Sequence, residues 1–457
     1  MRSFLEPNER SGDAGIGIVE ILVALMVFAV LAVGIAYSLT YTMRMTRDNQ
    51  ARQVAVNLAS SDIDSVRADG DPFDIFSDSY DVAIPSGDTY KVTRVTSWVT
   101  PTGSDATCGT SGGALQYKHV SVSVTWTGML SSTNPVTSDT LIAPSRRIND
   151  PSKGTLLISV KDASGGGAQG VTFVSTPAQA TTPTDEDGCS FLLQVAPGTY
   201  TIKLNTAGYI DYAQNASPSI TRTVAAGSSA SFSFQYDQAA TYTLAYASNS
   251  PGPAAKLPTN LDTTFINTYG LWPMTAVSNP AKLHPYPVGY QAVAGKYVPQ
   301  TPTVAGCESP DPEAWDPVGP ASAPTLVGTR VQAQTAAPGG SANLSVPMGI
   351  VNVAGGPVAK LVAVSEPDTP LTGQPTCADV GTAPATPAMT YQFGAVIPAT
   401  GSVKIALPYG SWRLFSNSGT DASPVLLPIP APRVSRVTSG FGPDITGLIA
   451  LDPRAAP

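Results

Sequence analysis

A single acid interrupts the most apolar part of the chain. Between Ile16 and Met43 the only side chain charged near neutral pH is Glu20. A carboxylate inside a hydrophobic helix is costly unless something neutralises it, so such a residue is by default a functional hypothesis with a partner to be named. The other titratable residues offer less chemistry. His119 and His284 are the only histidines, and no Gly-x-Ser-x-Gly elbow, His-Glu-x-x-His pair or phosphate loop accompanies them. Asp185, Glu186 and Asp187 have the charge to hold calcium but lack the remaining ligand spacing, and read as a turn. Cys108, Cys189, Cys307 and Cys377 contain no Cys-x-x-Cys pair, which argues against zinc and redox motifs. In an exported chain they point to disulfides. Cys307 with Cys377 is the expected pair, because both lie in the distal half; Cys108 and Cys189 stay open. No catalytic constellation is expected, and no cofactor or metal.

The element that positions Glu20 is the apolar run itself. Residues 16–43 exceed the roughly 20 apolar residues that a membrane-spanning helix needs. A cleaved signal has an apolar core of only about 7–15 residues, which this run outgrows. Gly15, an apolar residue after it, and Glu at the fifth position beyond it together resemble the processing site of type IV pilins and pseudopilins. The resemblance implies that a prepilin peptidase cuts after Gly15 and that Ile16 becomes an N-methylated amino terminus. It also implies that Glu20 pairs with the terminal amine of a neighbouring subunit. Family leaders tend to be basic, with Phe after the cut; here Arg2 and Arg10 face Glu6, Glu9 and Asp13, and Ile16 takes the place of Phe.

Composition describes what the stem carries. The chain has 457 residues, only 13% of them charged, with 41 Gly and 42 Pro. That balance favours strands and turns over helices. Net charge is −8, and no basic cluster follows Arg44 and Arg47, so nucleic acid is not an expected partner.

The chain in order reads as α+β at the N-terminus, a long stem helix plus an antiparallel sheet, followed by all-β tandem immunoglobulin-like or transthyretin-like sandwiches. Residues 1–15 are the leader and 16–43 the membrane half of the stem. Residues 44–70 form its amphipathic half, with Ala51, Val54, Ala55, Leu58, Ala59, Asp62 and Val66 on one stripe. Asp69-Gly70-Asp71-Pro72 stops the helix. Residues 71–150 form the sheet; Val120, Val122, Val124 and Trp126 alternate along its buried face. The phrase Tyr117 to Trp126 is similar to the sheet strand of minor pilins of the modification type. Residues 151–238 resemble carboxypeptidase regulatory-like sandwiches, with an acidic Gly turn at 184–188 and Pro197-Gly198-Thr199-Tyr200, where Gly198 would make the turn and Tyr200 would plug the core. Some Gram-positive sandwiches carry a Lys–Asn isopeptide bond, but the run Ser229 to Tyr236 offers no Asn or Asp to Lys161. Residues 239–335 are a Pro-rich β region or a third sandwich. Residues 336–418 repeat the sandwich pattern, placing Gly410 on Gly198, Trp412 on Tyr200 and Leu414 on Ile202. Residues 419–457 read as Pro-rich coil with one strand, Ile445 to Leu451. Trp98, Trp126 and Trp412 are expected in the core; Trp272 and Trp315, in loop-like stretches, are expected as exposed contacts.

These readings imply a minor pilin-like structural subunit, not an enzyme. Its partners would be the prepilin peptidase, other pilins or pseudopilins through the stem, the membrane, and an unidentified surface ligand. It would cross the cell membrane once, with its body outside. The alternatives are a type II secretion pseudopilin, or a signal-anchored module that binds a polysaccharide or an adhesion ligand.

Overall fold

The computed structural model describes residues 17–454, apart from 86, 101–104, 107, 109–114, 130–133, 145–147, 302–305, 320–324, 356–359, 367–370, 378–388, 395–400, 421–424, 439 and 442–446. The leader, Ile16, most of the 101–114 loop and Ile445 therefore lie outside the described residues. The chain divides into two compact units, 1–107 with 111–150, and 108–110 with 151–457.

The first unit is built on α1, Ile18–Asp69, one unbroken helix of 52 residues, about 78 Å long at 1.5 Å per residue. Every described side chain from Gly17 to Arg47 is exposed. Two threonine hydroxyls in this apolar half are satisfied within the helix: Thr40 Oγ1 donates to Ala36 O at 2.8 Å and Thr42 Oγ1 to Ser38 O at 2.9 Å. The second half packs on a sheet. Ala51, Ala55, Ala59, Ile63 and Val66 are all buried, with Val54 and Leu58 packed beside them. Three alanines on the contact stripe let the backbone approach closely. Gly70, at φ 73°, ends the helix in the left-handed conformation that glycine adopts without strain.

The sheet strands are β1 Asp78–Ala83, β2 Thr89–Val99, β3 Asp105–Ala106, β4 Tyr117–Trp126 and β5 Val136–Ile142. Their order is β1-β2-β4-β5, with β3 on β2, all antiparallel. Val120, Val122 and Val124 are fully buried against α1, worth about 1.5–3 kcal/mol each on burial. Lys118 shares their face and is also buried, its Nζ 5.4 Å from the Trp98 ring centroid.

The second unit begins with two facing sheets. Its strands are β6 Gly154–Lys161, β7 Phe173–Thr176, β8 Cys189–Val195, β9 Gly198–Leu204, β10 Tyr209–Asp211, β11 Ser219–Val224 and β12 Ser229–Gln238. One sheet runs β10-β12-β6-β8 and the other β11-β9-β7, and they close over a core that includes Leu156, Ile158, Phe173, Tyr200 and Phe232. The acidic run is a turn. Asp185 Oδ1 accepts the Cys189 N–H at 2.8 Å and Asp185 O accepts the Gly188 N–H at 3.0 Å. Gly188 sits at φ 73°, and a Cβ there would lie 2.1 Å from Val160 O, so only glycine fits. Lys161 stands opposite Gln235 in the β6–β12 register.

The remaining strands are β13 Ala240–Tyr246, β14 Asp262–Asn267, β15 Gly270–Thr275, β16 Ala281–Leu283, β17 Gln291–Ala294, β18 Ser341–Val346, β19 Gly349–Ala354, β20 Leu361–Ser365, β21 Thr390–Gln392, β22 Ser402–Leu407, β23 Gly410–Asn417, β24 Leu426–Pro428, β25 Val434–Arg436, β26 Gly440–Phe441 and β27 Leu448–Leu451. They do not respect the boundaries drawn from sequence at 335 and 418. One continuous core runs from Ala240 to Leu451. β13 pairs in parallel with β18, placing Tyr242 beside Ala342 and Leu244 beside Leu344. The strand expected near the C-terminus is present as β27, which pairs with β23 and buries Ile449 and Leu451 completely, while β24, β25 and β26 take the place of part of the expected coil.

Candidate functional site

Glu20 occupies the first turn of α1, whose preceding residue is Gly17. The Glu20 N–H donates to Gly17 O at 2.9 Å. Its side chain is exposed and borders an open apolar groove with Ile21, Ala24, Leu25 and Phe28. An acid in a first turn interacts favourably with the helix dipole, but that gain is a fraction of the cost of holding a carboxylate in hydrocarbon. Among the described residues, the Glu20 carboxylate has no ion pair. Gly15 and Ile16, its expected companions, lie outside the described residues.

Farther along, polar contacts lock the helix to its sheet. Arg47 pairs with Asp88, and the Trp126 indole N–H donates to Asp48 Oδ1 at 3.1 Å. Asp62, only 6% exposed, accepts the Tyr80 hydroxyl at 3.0 Å and lies 3.7 Å from the Arg94 guanidinium. Burial, then the hydrogen bond to Asp62, raises the Tyr80 pKa above its usual 10.0. Arg67 donates two bonds to Thr140 Oγ1, at 2.9 and 3.2 Å. The sequence stripe placed Asp62 on the buried face, but only the fold supplies the arginine and tyrosine that make a buried carboxylate tolerable.

Four cysteines make two disulfides, Cys108–Cys189 and Cys307–Cys377. Both belong to the second unit, since Cys108 groups with it. Trp315 is not an exposed contact. It is 3% exposed, its N–H donates to Ser309 O at 2.9 Å, and the Arg454 guanidinium lies 5.0 Å over its ring. Trp272 is half-buried, its ring 5.5 Å from Tyr286 and 5.7 Å from Tyr290. Local sequence marks both as loop residues, yet the packing that covers them comes from other segments, Arg454 from far down the chain. Among the described residues of the second unit, the exposed aromatics are instead Tyr269, stacked 4.6 Å from buried Tyr286, and Tyr212, whose carbonyl accepts the Tyr286 hydroxyl at 3.0 Å.

The two histidines have different surroundings. His119 Nε2 is 3.3 Å from Asp139 Oδ1 on the sheet. His284 is fully buried, with Nδ1 3.1 Å from Ile210 O, and burial lowers its pKa below 6.5. Among the described residues, no group of three His, Cys, Asp or Glu side chains is arranged to hold a metal.

No family model matches the chain, and no curated protein does. Solved structures give distant likenesses. The TIE protein of Bacillus anthracis is 12% identical, with 78% of this chain and 72% of that one covered at a TM-score of 0.19. A streptococcal ancillary pilin is 11% identical, with 56% and 75% covered at 0.17. A shaft pilin from Lactobacillus rhamnosus GG is 12% identical, with 43% and 98% covered at 0.16. Identity this low, with superposition this loose, assigns neither a family nor an activity.

Proposed function

We propose that the chain is a non-enzymatic, pilin-like structural subunit of the type IV class, held in the cell membrane by α1 and displaying β modules outside the cell. The observation that carries this reading is the stem: one helix whose first half is wholly exposed and apolar except for Glu20, and whose second half is the backbone of a small sheet domain. A soluble domain does not leave the 23 uncharged, largely apolar residues from Ile21 to Met43 in water, and a plain anchor has no use for the acid. Cleavage by a prepilin peptidase after Gly15 would put a positive amine at Ile16, and that amine on one subunit would neutralise Glu20 on its neighbour. Pilus and type II secretion assemblies use the same contact. The roughly 300 residues beyond the sheet, largely β, would crowd a filament at every repeat, so a tip or sparse position suits them.

Two measurements test it. The mass of the N-terminal peptide from membranes should correspond to a chain beginning at methylated Ile16. Glu20→Ala should reach the membrane in native amounts and be processed, yet be lost from sheared filaments or from crosslinks to other subunits. An intact Met1, or equal recovery of mutant and native chains, would remove the type IV reading. A second reading, a signal-anchored module that binds polysaccharide, is favoured by the exposed rings of Tyr212 and Tyr269. On that reading, Glu20→Ala leaves surface display unchanged and Tyr269→Ala abolishes retention on a glycan column.

A further inference from the structure

We propose that the cleft between α1 and the head sheet binds the headgroup of a phospholipid bearing a primary amine, with its phosphate on Arg44 and Arg47 and its ammonium on Asp48 and Asp88. This rests on the reading of α1 as a membrane span. The cleft has a volume of about 210 Å³ and takes Arg44, Arg47 and Asp48 from the helix and Asp88 and Trp126 from the sheet. Its depth in the membrane follows from helix geometry. From Glu20 to Arg44 the helix rises about 36 Å, slightly more than the roughly 30 Å hydrocarbon layer. Arg44 is the first charge after Glu20 and ends the apolar run, so Arg44 through Asp48 fall in the headgroup layer at that end of the span.

The walls are already fixed. Arg47 is paired with Asp88, and Asp48 accepts the Trp126 N–H at 3.1 Å. Arg44 is exposed and has no ion pair or hydrogen bond among the described residues. Two cations and two carboxylates sum to no net charge, so a purely anionic ligand would gain from the arginines and lose to the aspartates. A zwitterion meets both signs. The carboxylates accept hydrogen bonds, which a primary ammonium donates and a quaternary one cannot. Trp126 turns its N–H edge to Asp48 and is 7% exposed, so its face is not offered to choline as a cation–π platform.

The test uses the full chain in phosphatidylcholine nanodiscs doped with equal fractions of phosphatidylethanolamine and phosphatidylglycerol, with co-purifying lipid counted by native mass spectrometry. Phosphatidylethanolamine should be retained above both others. Arg44→Gln, a change at an exposed side chain, should lower that retention about tenfold, the loss of one charge-assisted hydrogen bond. Soluble phosphoethanolamine should compete for the cleft where inorganic phosphate does not. Equal retention of the three lipids, undiminished retention by the variant, or equal competition by inorganic phosphate would overturn the proposal. Vesicle flotation separates the two layers of the argument. If the native chain fails to float, the membrane span falls and the headgroup site with it; if both chains float and retain lipid equally, only the headgroup site falls.

Discussion

Tyr200 and Trp412 close their strand entrances in the same way. Each sits two residues into its strand and donates to the carbonyl four residues earlier at 2.9 Å, Tyr200 to Ala196 O and Trp412 to Pro408 O. A phenol and an indole thus solve one local problem, satisfying a carbonyl at a buried strand start. Tyr200→Phe removes only the hydroxyl and should cost about 1 kcal/mol, read as a lower denaturant midpoint in a fragment beginning at Pro151. Trp412→Phe also leaves a void beside Tyr391, whose ring lies 5.4 Å away, and should cost more. His284 adds a pH dependence. Its folded pKa is held below 6.5 by burial, which outweighs its bond to Ile210 and the carboxylates of Asp237, Asp211 and Asp162. Unfolding therefore takes up a proton once the pH falls below 6.5, so stability should be flat above that value and decline beneath it. Asp211, raised from 3.8 by burial, acts oppositely, adding stability that is lost as pH rises through its folded pKa. The two slopes have opposite signs, so a melting temperature that falls as the pH drops below 6.5 reports on the histidine. His284→Gln should flatten that fall; an unchanged slope would mean another group titrates.

At the scale of elements, α1 is two helices in one. Its first half leaves bulky apolar side chains exposed, and its second half presents small ones to a sheet. Ala55 is fully buried in the packed core of α1 and the sheet. Ala55→Leu should force the sheet outward at a cost of about 1–3 kcal/mol, seen as faster proteolysis of the head with membrane retention unaffected. Equal proteolysis would show that the sheet yields without strain. The pairings of the distal modules recur as well: β6 with β8 and β7 with β9 in the first, β19 with β22 and β20 with β23 in the second, all antiparallel. Sequence alignment of Gly410 with Gly198 and Trp412 with Tyr200 follows this recurrence. The turn itself falls on Ala196-Pro197, with Gly198 opening β9.

For the whole molecule, the distinction between the cores predicts what can be cut. Residues 151–238 own their sheets and their core and should fold alone once Cys189, which loses its partner Cys108, is replaced by Ser. Residues 239–335 should not, because β13 needs β18 and the shared core needs Leu361, Ile405 and Ile449. A 239–335 fragment giving a cooperative melt would contradict that. About 100 residues separate β13 from β18, and a parallel pair leaves no hairpin signature between its strands, so their pairing is not legible in the local sequence.

The amino-acid sequence by itself determined the stem, its end at Gly70, the buried alternation of β4 and the acidic turn at Gly188. Each is set by neighbours a few residues apart, through helix periodicity, strand alternation or a backbone angle that only glycine tolerates. Tertiary structure alone decided that Cys108 meets Cys189, that Trp315 is buried beneath Arg454, that Asp62 has an arginine, and that the second half of the body shares one core. Those outcomes depend on which distant strands pair and on where a long side chain from another segment lands, and no local period encodes either.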